Sequence, residues 1–132
     1  MEISELNFKE KVTDLINLYN QRKFDEVTDL TKKLISQYPH SATLWNLLGA
    51  ASKSLGKTDE SIRSFKKVIE LNPKYADGYN NLGVALQEKG NFGESIKQFN
   101  KALSLRPNYA QAYNNAGISY QKKGKSNLAT KH

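Results

Sequence analysis

The chain of 132 residues contains no cysteine, and this absence excludes disulfide scaffolds, thiol catalysis and cysteine-ligated metal sites. Its two histidines, His40 and His132, lie far apart in the sequence, so no histidine cluster for catalysis or metal binding is indicated. We therefore expect no enzymatic activity, no cofactor and no metal. The missing cysteines leave the redox state of the compartment open.

Long apolar runs are also missing from the sequence. No segment approaches the roughly 18 apolar residues of a membrane-spanning helix. The N-terminal sequence MEISELNFKE has acidic residues where a secretory signal has a basic and then an apolar stretch. We therefore expect a cytoplasmic protein that does not associate with membranes.

Proline is scarce, and its positions are regular. The three prolines, Pro39, Pro73 and Pro107, are 34 residues apart, and the segments WNLLG, YNNLG and YNNAG return at the same interval. Six of the eight glycines fall into two further columns with this spacing: Gly49, Gly83 and Gly117, and Gly56, Gly90 and Gly124. A fixed period of this length is typical of stacked structural repeats.

Each period has the pattern of a helical hairpin. One face of a first helix, at about 42–54, carries residues at i, i+3, i+4 and i+7: Trp45, Leu48, Gly49 and Ser52. Gly56 then predicts a break, and Thr58 is the expected N-cap of a second helix that ends before Pro73. The next period predicts helices at about 76–88 and 92–105, with Asn91 and Glu94 as a capping box. A last helix is predicted at about 110–122.

The predicted domain organisation follows the period. The first repeat is degenerate, because Lys11 and Leu15 stand where the next repeat has Trp45 and Gly49. Such divergence is expected of a terminal repeat, which exposes one face to water. The predicted segments are an N-terminal extension (1–7), a degenerate repeat (8–41), two full repeats (42–75 and 76–109) and a partial repeat made of one helix and a short tail (110–132).

These spacings resemble the tetratricopeptide repeat, whose 34-residue pattern is W-x2-L-G-x2-Y, then A-x3-F, then P. Two periods match it at five positions each: Trp45, Leu48, Gly49, Phe65 and Pro73, and Tyr79, Leu82, Gly83, Phe99 and Pro107. The resemblance covers about residues 8–132. It implies an all-α fold, a right-handed α-solenoid of about seven helices, and a role as a protein–protein interaction scaffold.

The glycines within the first helices need a packing reason. Glycine in a helix interior costs about 1 kcal/mol relative to alanine, and Gly49, Gly83 and Gly117 repeat that cost three times. We expect each glycine to allow a close helix crossing, with the small residues Ser61 and Ser95 on the opposite side.

The face of each first helix that points away from this packing is expected to line a concave groove. Stacked amides there can pair with the backbone of an extended peptide, around a small apolar floor. Asn81 and Asn115 resemble the asparagine ladder in the superhelix of O-linked N-acetylglucosamine transferases, and Leu47 breaks the series. The predicted peptide-binding residues are Asn46, Asn80, Asn81, Asn114, Asn115, Lys53, Gln87, Gln121, Val84 and Ile118.

The sequence also indicates whether two other kinds of partner are expected: chaperone C-termini and nucleic acids. A related clamp for chaperone C-terminal carboxylates needs basic side chains where this chain has Gln111 and Asn115, so that clamp is not expected. Nucleic acid is a minor hypothesis, because no aromatic side chains for base stacking interleave the basic residues of the second helices. Those basic residues are Arg63, Lys66, Lys67, Lys97 and Lys101.

The predicted helix at 110–122 leaves part of its apolar stripe without a second helix to cover it. Two explanations stay open: the sequence is part of a longer protein, or another chain covers this end, self-association included. The functional alternative to a peptide-binding scaffold is the substrate-presenting N-terminal region of a larger glycosyl- or sulfotransferase.

Overall fold

In the computed structural model, the backbone is described for residues 2–131 and the side chains for residues 7–125. Every regular element in this part of the chain is an α-helix, and the helices follow one another in a single stack. The seven helices are α1 (Glu2–Asn20), α2 (Phe24–Gln37), α3 (Ala42–Ser54), α4 (Thr58–Leu71), α5 (Ala76–Lys89), α6 (Phe92–Leu105) and α7 (Ala110–Lys131). The all-α solenoid with about seven helices is therefore confirmed.

Glycines make the tight turns within two hairpins. Gly56 and Gly90 have φ values of 77° and 88°, in the left-handed region that glycine enters without a Cβ penalty. Gly124 is different, because it lies inside α7, which continues to Lys131. The predicted helix end near residue 122 is therefore wrong. A glycine permits a turn but does not require one.

The predicted caps of the second helices are also wrong. Lys57, not Thr58, is the N-cap of α4, and it makes no side-chain capping bond. Asn91 is the N-cap of α6 but likewise makes no side-chain capping bond, and the Glu94 carboxylate contacts Lys97 Nζ at 3.2 Å. Both helices begin directly after a tight turn that a backbone hydrogen bond closes, from Lys57 N to Ser52 O and from Asn91 N to Leu86 O.

The core lies between neighbouring helices along the whole stack. In one cluster Ile62 and Phe65 of α4 pack with Leu82, Ala85 and Leu86 of α5. A second cluster joins the first two repeats through Leu15, Leu34 and Leu44, and a third joins the last two through Tyr79, Ala102 and Ala112. Each repeat therefore buries its apolar face against the next one, as expected of a repeat array.

The close approach at the helix glycines involves aromatic rings. A Cβ added to Gly49 would lie 2.6 Å from Phe65 Cε1, and one added to Gly83 would lie 2.5 Å from Phe99 Cε1. Phenylalanine rings are therefore the nearest neighbours of these two glycines, and the position of the buried Ser61 and Ser95 opposite the glycines stays a prediction. At Gly117 an added Cβ would meet no atom within 4 Å.

The degenerate first repeat exchanges the large and the small residue of this contact. Leu15 takes the glycine position, and Thr31 takes the phenylalanine position. Both side chains are buried, with 2% and 0% of their surface exposed. The first hairpin thus places its large side chain on α1, whereas the later hairpins place theirs on the second helix.

Candidate functional site

A cleft of about 320 Å³ opens along the first helices of successive repeats. It contains five of the ten predicted groove residues: Lys53, Asn80, Asn81, Val84 and Asn115. The other lining residues are Tyr19, Ala50, Ser54, Phe65 and Gln111. The first helices α1, α3, α5 and α7 therefore share one concave surface, which we call the groove.

Two asparagine pairs connect consecutive repeats within this surface. The side-chain amide of Asn81 donates to Asn46 Oδ1, and that of Asn115 donates to Asn80 Oδ1, both at 3.2 Å. Asn80 is only 3% exposed, so the expectation that these amides all point away from the packing is wrong for Asn80. The amides form cross-repeat rungs with an offset of 35 residues, one more than the repeat length.

The offset also explains the position where the sequence series is broken. Leu47 is the counterpart of Asn81, and the residue 35 positions before Leu47 is Val12. Both side chains pack against the cluster of Leu15, Leu34 and Leu44. Both residues at the start of the series are therefore apolar, where the later repeats have paired asparagines.

The Gln87 side chain is already hydrogen-bonded within the protein. Its amide nitrogen donates to the Asn115 carbonyl oxygen at 3.0 Å and to Ser119 Oγ at 2.7 Å. Ser119 Oγ also lies 2.6 Å from Ser95 Oγ. Both amide hydrogens of Gln87 are thus used to join α5 to α7, and nothing in the sequence spacing indicated this bond.

The remaining predicted residues lie on α7, outside the lining of the cleft. Asn114, Ile118 and Gln121 are exposed, and Ile118 has 43% of its surface accessible. They extend the concave face beyond the cleft toward the C-terminal end of the stack. The structure does not test whether these three residues contact a ligand, so their role stays a prediction.

One ion pair lies at the border of the groove. Lys53 Nζ is 3.6 Å from Glu88 Oε1, and the two side chains are 37% and 42% exposed. A pair with this exposure contributes at most about 1 kcal/mol, so a ligand carboxylate can replace Glu88 at little cost. Tyr19 lies beside Lys53 in the lining and was missed by the sequence analysis, although it precedes Lys53 by 34 residues.

A second polar cluster joins α5 to the loop before α7, at the edge of the repeat stack. Asp77 accepts hydrogen bonds from Arg106 at 2.8 Å and from the Tyr109 hydroxyl at 2.5 Å. The Arg106 guanidinium lies 3.6 Å from the centre of the Tyr109 ring. Burial, followed by the bond to Asp77, raises the pKa of Tyr109 to about 12. All three residues belong to the third repeat, so this cluster ties its first helix to the loop that follows its second helix.

Within the described residues, no group of three or more His, Asp or Glu side chains could hold a metal ion. Among the same residues, no helix combines the length and the apolar character that a membrane crossing requires. The polar groups that converge in the groove are amides with one weak ion pair, which suits hydrogen bonding to a peptide backbone.

A protein-family model described as TPR repeat matches residues 49–90 and 85–124, which is more than half of the chain. The chain therefore belongs to the tetratricopeptide repeat family. A search of curated proteins finds no match to the sequence.

Several solved structures share the fold of this chain, and three are described here. The crystal structure of MamA protein aligns with 98% of this chain and 71% of its own, with a TM-score of 0.84 and 24% identity. The first TPR of Spaghetti (RPAP3), bound to the HSP90 peptide SRMEEVD, aligns with 87% of this chain and 94% of its own, with a TM-score of 0.81 and 24% identity.

The third structure is a mutant O-GlcNAc transferase from Thermobaculum terrenum. It aligns with 84% of this chain and 21% of its own, with a TM-score of 0.77 and 20% identity. The expected similarity to the repeat region of such transferases is therefore confirmed for the fold.

Proposed function

We propose that this chain is a protein-interaction scaffold whose groove binds an extended peptide segment of a partner. The observation that carries the proposal is the groove itself, in which first helices of successive repeats present ordered amide pairs around Ala50 and Val84. We assign binding instead of catalysis to it. The proposed location is the cytoplasm.

The rungs keep hydrogen-bonding capacity after pairing. In the Asn46–Asn81 pair, one amide hydrogen of Asn81 and the oxygen of Asn46 are engaged. The oxygen of Asn81 and the amide hydrogens of Asn46 remain available to a peptide backbone, which alternates donors and acceptors. Helices packed about 8–10 Å apart and a strand rise of about 3.3 Å place one rung at roughly every third peptide residue.

The charge at the groove favours a peptide with an acidic residue near Lys53. The weak Lys53–Glu88 pair can open to accept a ligand carboxylate, whereas the floor of Ala50 and Val84 accepts a small apolar side chain. The RPAP3 domain binds a peptide that ends in EEVD, but this chain has Gln111 and Asn115 at the two basic clamp positions. We therefore do not extend that ligand to this chain.

A peptide array tests the proposal, with wild type compared against the variant Asn81→Ala/Val84→Ala. Both residues line the groove and are partly exposed. We expect binding of selected peptides to fall at least about tenfold, because a backbone contact and an apolar contact are lost together. Ser104→Ala, on the exposed side of α6, is the matched control. Unchanged peptide affinity in a folded Asn81→Ala/Val84→Ala variant would remove the groove from consideration.

The alternative function, a substrate-presenting region of a larger glycosyl- or sulfotransferase, has the fold match to the O-GlcNAc transferase as its support. The complete open reading frame decides this alternative, because it either contains a transferase domain or does not. Self-association through the α7 end is tested by sedimentation, because a strict monomer at high concentration would exclude a second copy at this surface.

A further inference from the structure

Arg22 occupies a turn position where the later repeats have glycine. Its φ is 63°, in the left-handed region, and its counterparts in the next two repeats are Gly56 and Gly90, with φ values of 77° and 88°. A residue with a Cβ adopts this conformation at a cost in free energy, so stability alone would favour glycine here. Strained residues of this kind concentrate at binding sites, which makes Arg22 a candidate for a role in binding.

Two aromatic contacts connect the Arg22 side chain to the groove. The guanidinium carbon lies 5.6 Å from the centre of the Phe24 ring, and the Phe24 ring packs edge-on against the Tyr19 ring with centroids 5.2 Å apart. Tyr19 in turn lines the cleft together with Lys53. We call the cluster of Tyr19, Arg22 and Phe24 the first-repeat corner, and it lies at the end of the groove that the first repeat forms.

The third repeat shows which neighbour a ring at this position faces. Phe92, the counterpart of Phe24, has Lys122 Nζ of the next first helix 6.0 Å from its ring centre. The residue that corresponds to Lys122 beside the first repeat is Ser54, and Ser54 lines the cleft. By this equivalence the first-repeat corner faces the end of α3, which carries Lys53.

Arg22 and Lys53 supply two cations at this end of the groove. Arg22 is exposed, and among the described residues it forms no ion pair, although Asp25 and Glu26 follow closely in the chain. Lys53 contacts Glu88 in the weak pair that a ligand carboxylate can replace. A guanidinium stacked on an aromatic ring keeps its N–H donors available for a carboxylate. This end of the groove therefore fits an acidic part of a ligand.

We propose that Arg22 is a specificity-determining residue that binds a second acidic side chain of the peptide in the groove. One acidic residue meets Lys53 of the second repeat, and the other meets Arg22 of the first repeat. Helices packed about 8–10 Å apart and a strand rise of about 3.3 Å place the two acidic residues about three positions apart. The inference rests on the proposed function, because it assigns a ligand pattern to the same groove.

The probe is an array of short synthetic peptides of serine and alanine that contain one fixed glutamate. A second glutamate is moved one position at a time along either side of the first, and the array is incubated with the full chain. Wild type should bind best when the two glutamates are about three residues apart. Fluorescence anisotropy should show about fivefold higher affinity for that peptide than for the peptide with a single glutamate.

Two variants that each remove one charge from the same turn separate a direct contact from general electrostatic attraction. Arg22→Gln should abolish the gain from the second glutamate and leave the affinity for the single-glutamate peptide unchanged. Lys23→Gln should change neither, because its counterpart Lys57 lines a different cleft with Arg63 and Lys89. Circular dichroism establishes that each variant is folded.

Arg22→Gly should change stability and binding in opposite directions. The midpoint of thermal unfolding should rise by a few degrees, because glycine enters the left-handed region without a Cβ penalty. The gain in affinity from the second glutamate should be lost at the same time. A lower midpoint would overturn the proposal, because stability alone would then explain the arginine.

The array also distinguishes failure of this inference from failure of the groove proposal. An equal preference for glutamate spacing in wild type and folded Arg22→Gln would overturn the role of Arg22, and so would a wild type without any such preference. Binding that still falls in Asn81→Ala/Val84→Ala would then leave the groove proposal intact. Binding of no peptide to wild type at concentrations on the order of 1 mM would overturn both.

Discussion

Phenylalanine rings fill the space beside Gly49 and Gly83. A substitution at either glycine therefore tests how much this contact contributes to stability. Gly83→Ala places a Cβ 2.5 Å from Phe99 Cε1 in a buried contact. Overpacking typically costs about 1–3 kcal/mol, which exceeds the helix propensity gained from alanine. We expect the free energy of unfolding, measured by urea denaturation, to fall by about 1–2 kcal/mol.

Gly117→Ala is the matched control for Gly83→Ala, because its Cβ meets no atom. The same substitution should leave stability unchanged or raise it by up to about 1 kcal/mol through helix propensity. If both variants lost the same stability, the ring contact would not explain the cost at Gly83.

Tyr109 supplies a pH-dependent prediction. Its pKa in the folded chain is raised to about 12, first by burial and then by the bond to Asp77. An unfolded tyrosine titrates near pH 10, so the contribution of Tyr109 to stability is complete below about pH 10 and is lost between about pH 10 and 12. Wild type should therefore lose more unfolding free energy over this range than Tyr109→Phe. If chemical denaturation showed that wild type and Tyr109→Phe lose the same unfolding free energy between about pH 10 and 12, the raised pKa of Tyr109 would be contradicted.

At the scale of the helical hairpin, the first repeat has its large side chain, Leu15, on its first helix, whereas the later repeats have theirs on the second helix. Leu15→Gly leaves a cavity, and Thr31→Phe overfills a site that is fully buried. The double variant restores the pattern of the later hairpins. We expect each single change to destabilise by about 2 kcal/mol or more and the pair to recover at least about 2 kcal/mol of that loss. Additive losses in a double-mutant cycle would show that the two positions do not share a contact.

The helices could be predicted from the sequence because the residues that begin and end them act locally. The bounds of α3, α4, α5 and α6 follow from proline and glycine positions together with the apolar period. The start of α4 was predicted one residue too late, because the tight turn at Gly56 makes Lys57 the N-cap in place of Thr58. The end of α7 was also missed, because a glycine such as Gly124 permits a turn without requiring one.

The sequence could predict which face of each first helix lines the groove, but not how the side chains on that face pair. Helical geometry placed the amides on one surface, but it did not show that Asn46 pairs with Asn81 or Asn80 with Asn115. That information depends on how far one repeat rotates and shifts against the next, which no pattern within a single helix contains. A comparison at an interval of 35 residues would have aligned the asparagine pairs, with Val12 and Leu47 at the first position of the series.

For the molecule as a whole, stability should vary along the stack. Each repeat contacts its neighbours alone, so the ends open before the centre. The middle helices α4 and α5 contain the largest cluster of fully packed residues, whereas α7 is covered on one side. In native-state hydrogen exchange, amides of α5 should be protected at least about tenfold more than those of the described part of α7. Uniform protection would mean that the chain opens as one cooperative unit.

The 35-residue offset of the rungs decides which repeats can be copied during evolution or engineering. A tandem duplication of residues 76–109 joins Asn80 of the first copy to the equivalent of Asn81 in the second, so all polar rungs stay matched. A duplication of residues 42–75 instead sets Asn46 against the equivalent of Leu47. That junction leaves an amide without its partner, at a cost of about 1–3 kcal/mol. Unfolding curves of the two lengthened chains should differ accordingly, so a chain with this groove would grow more readily from its third repeat than from its second.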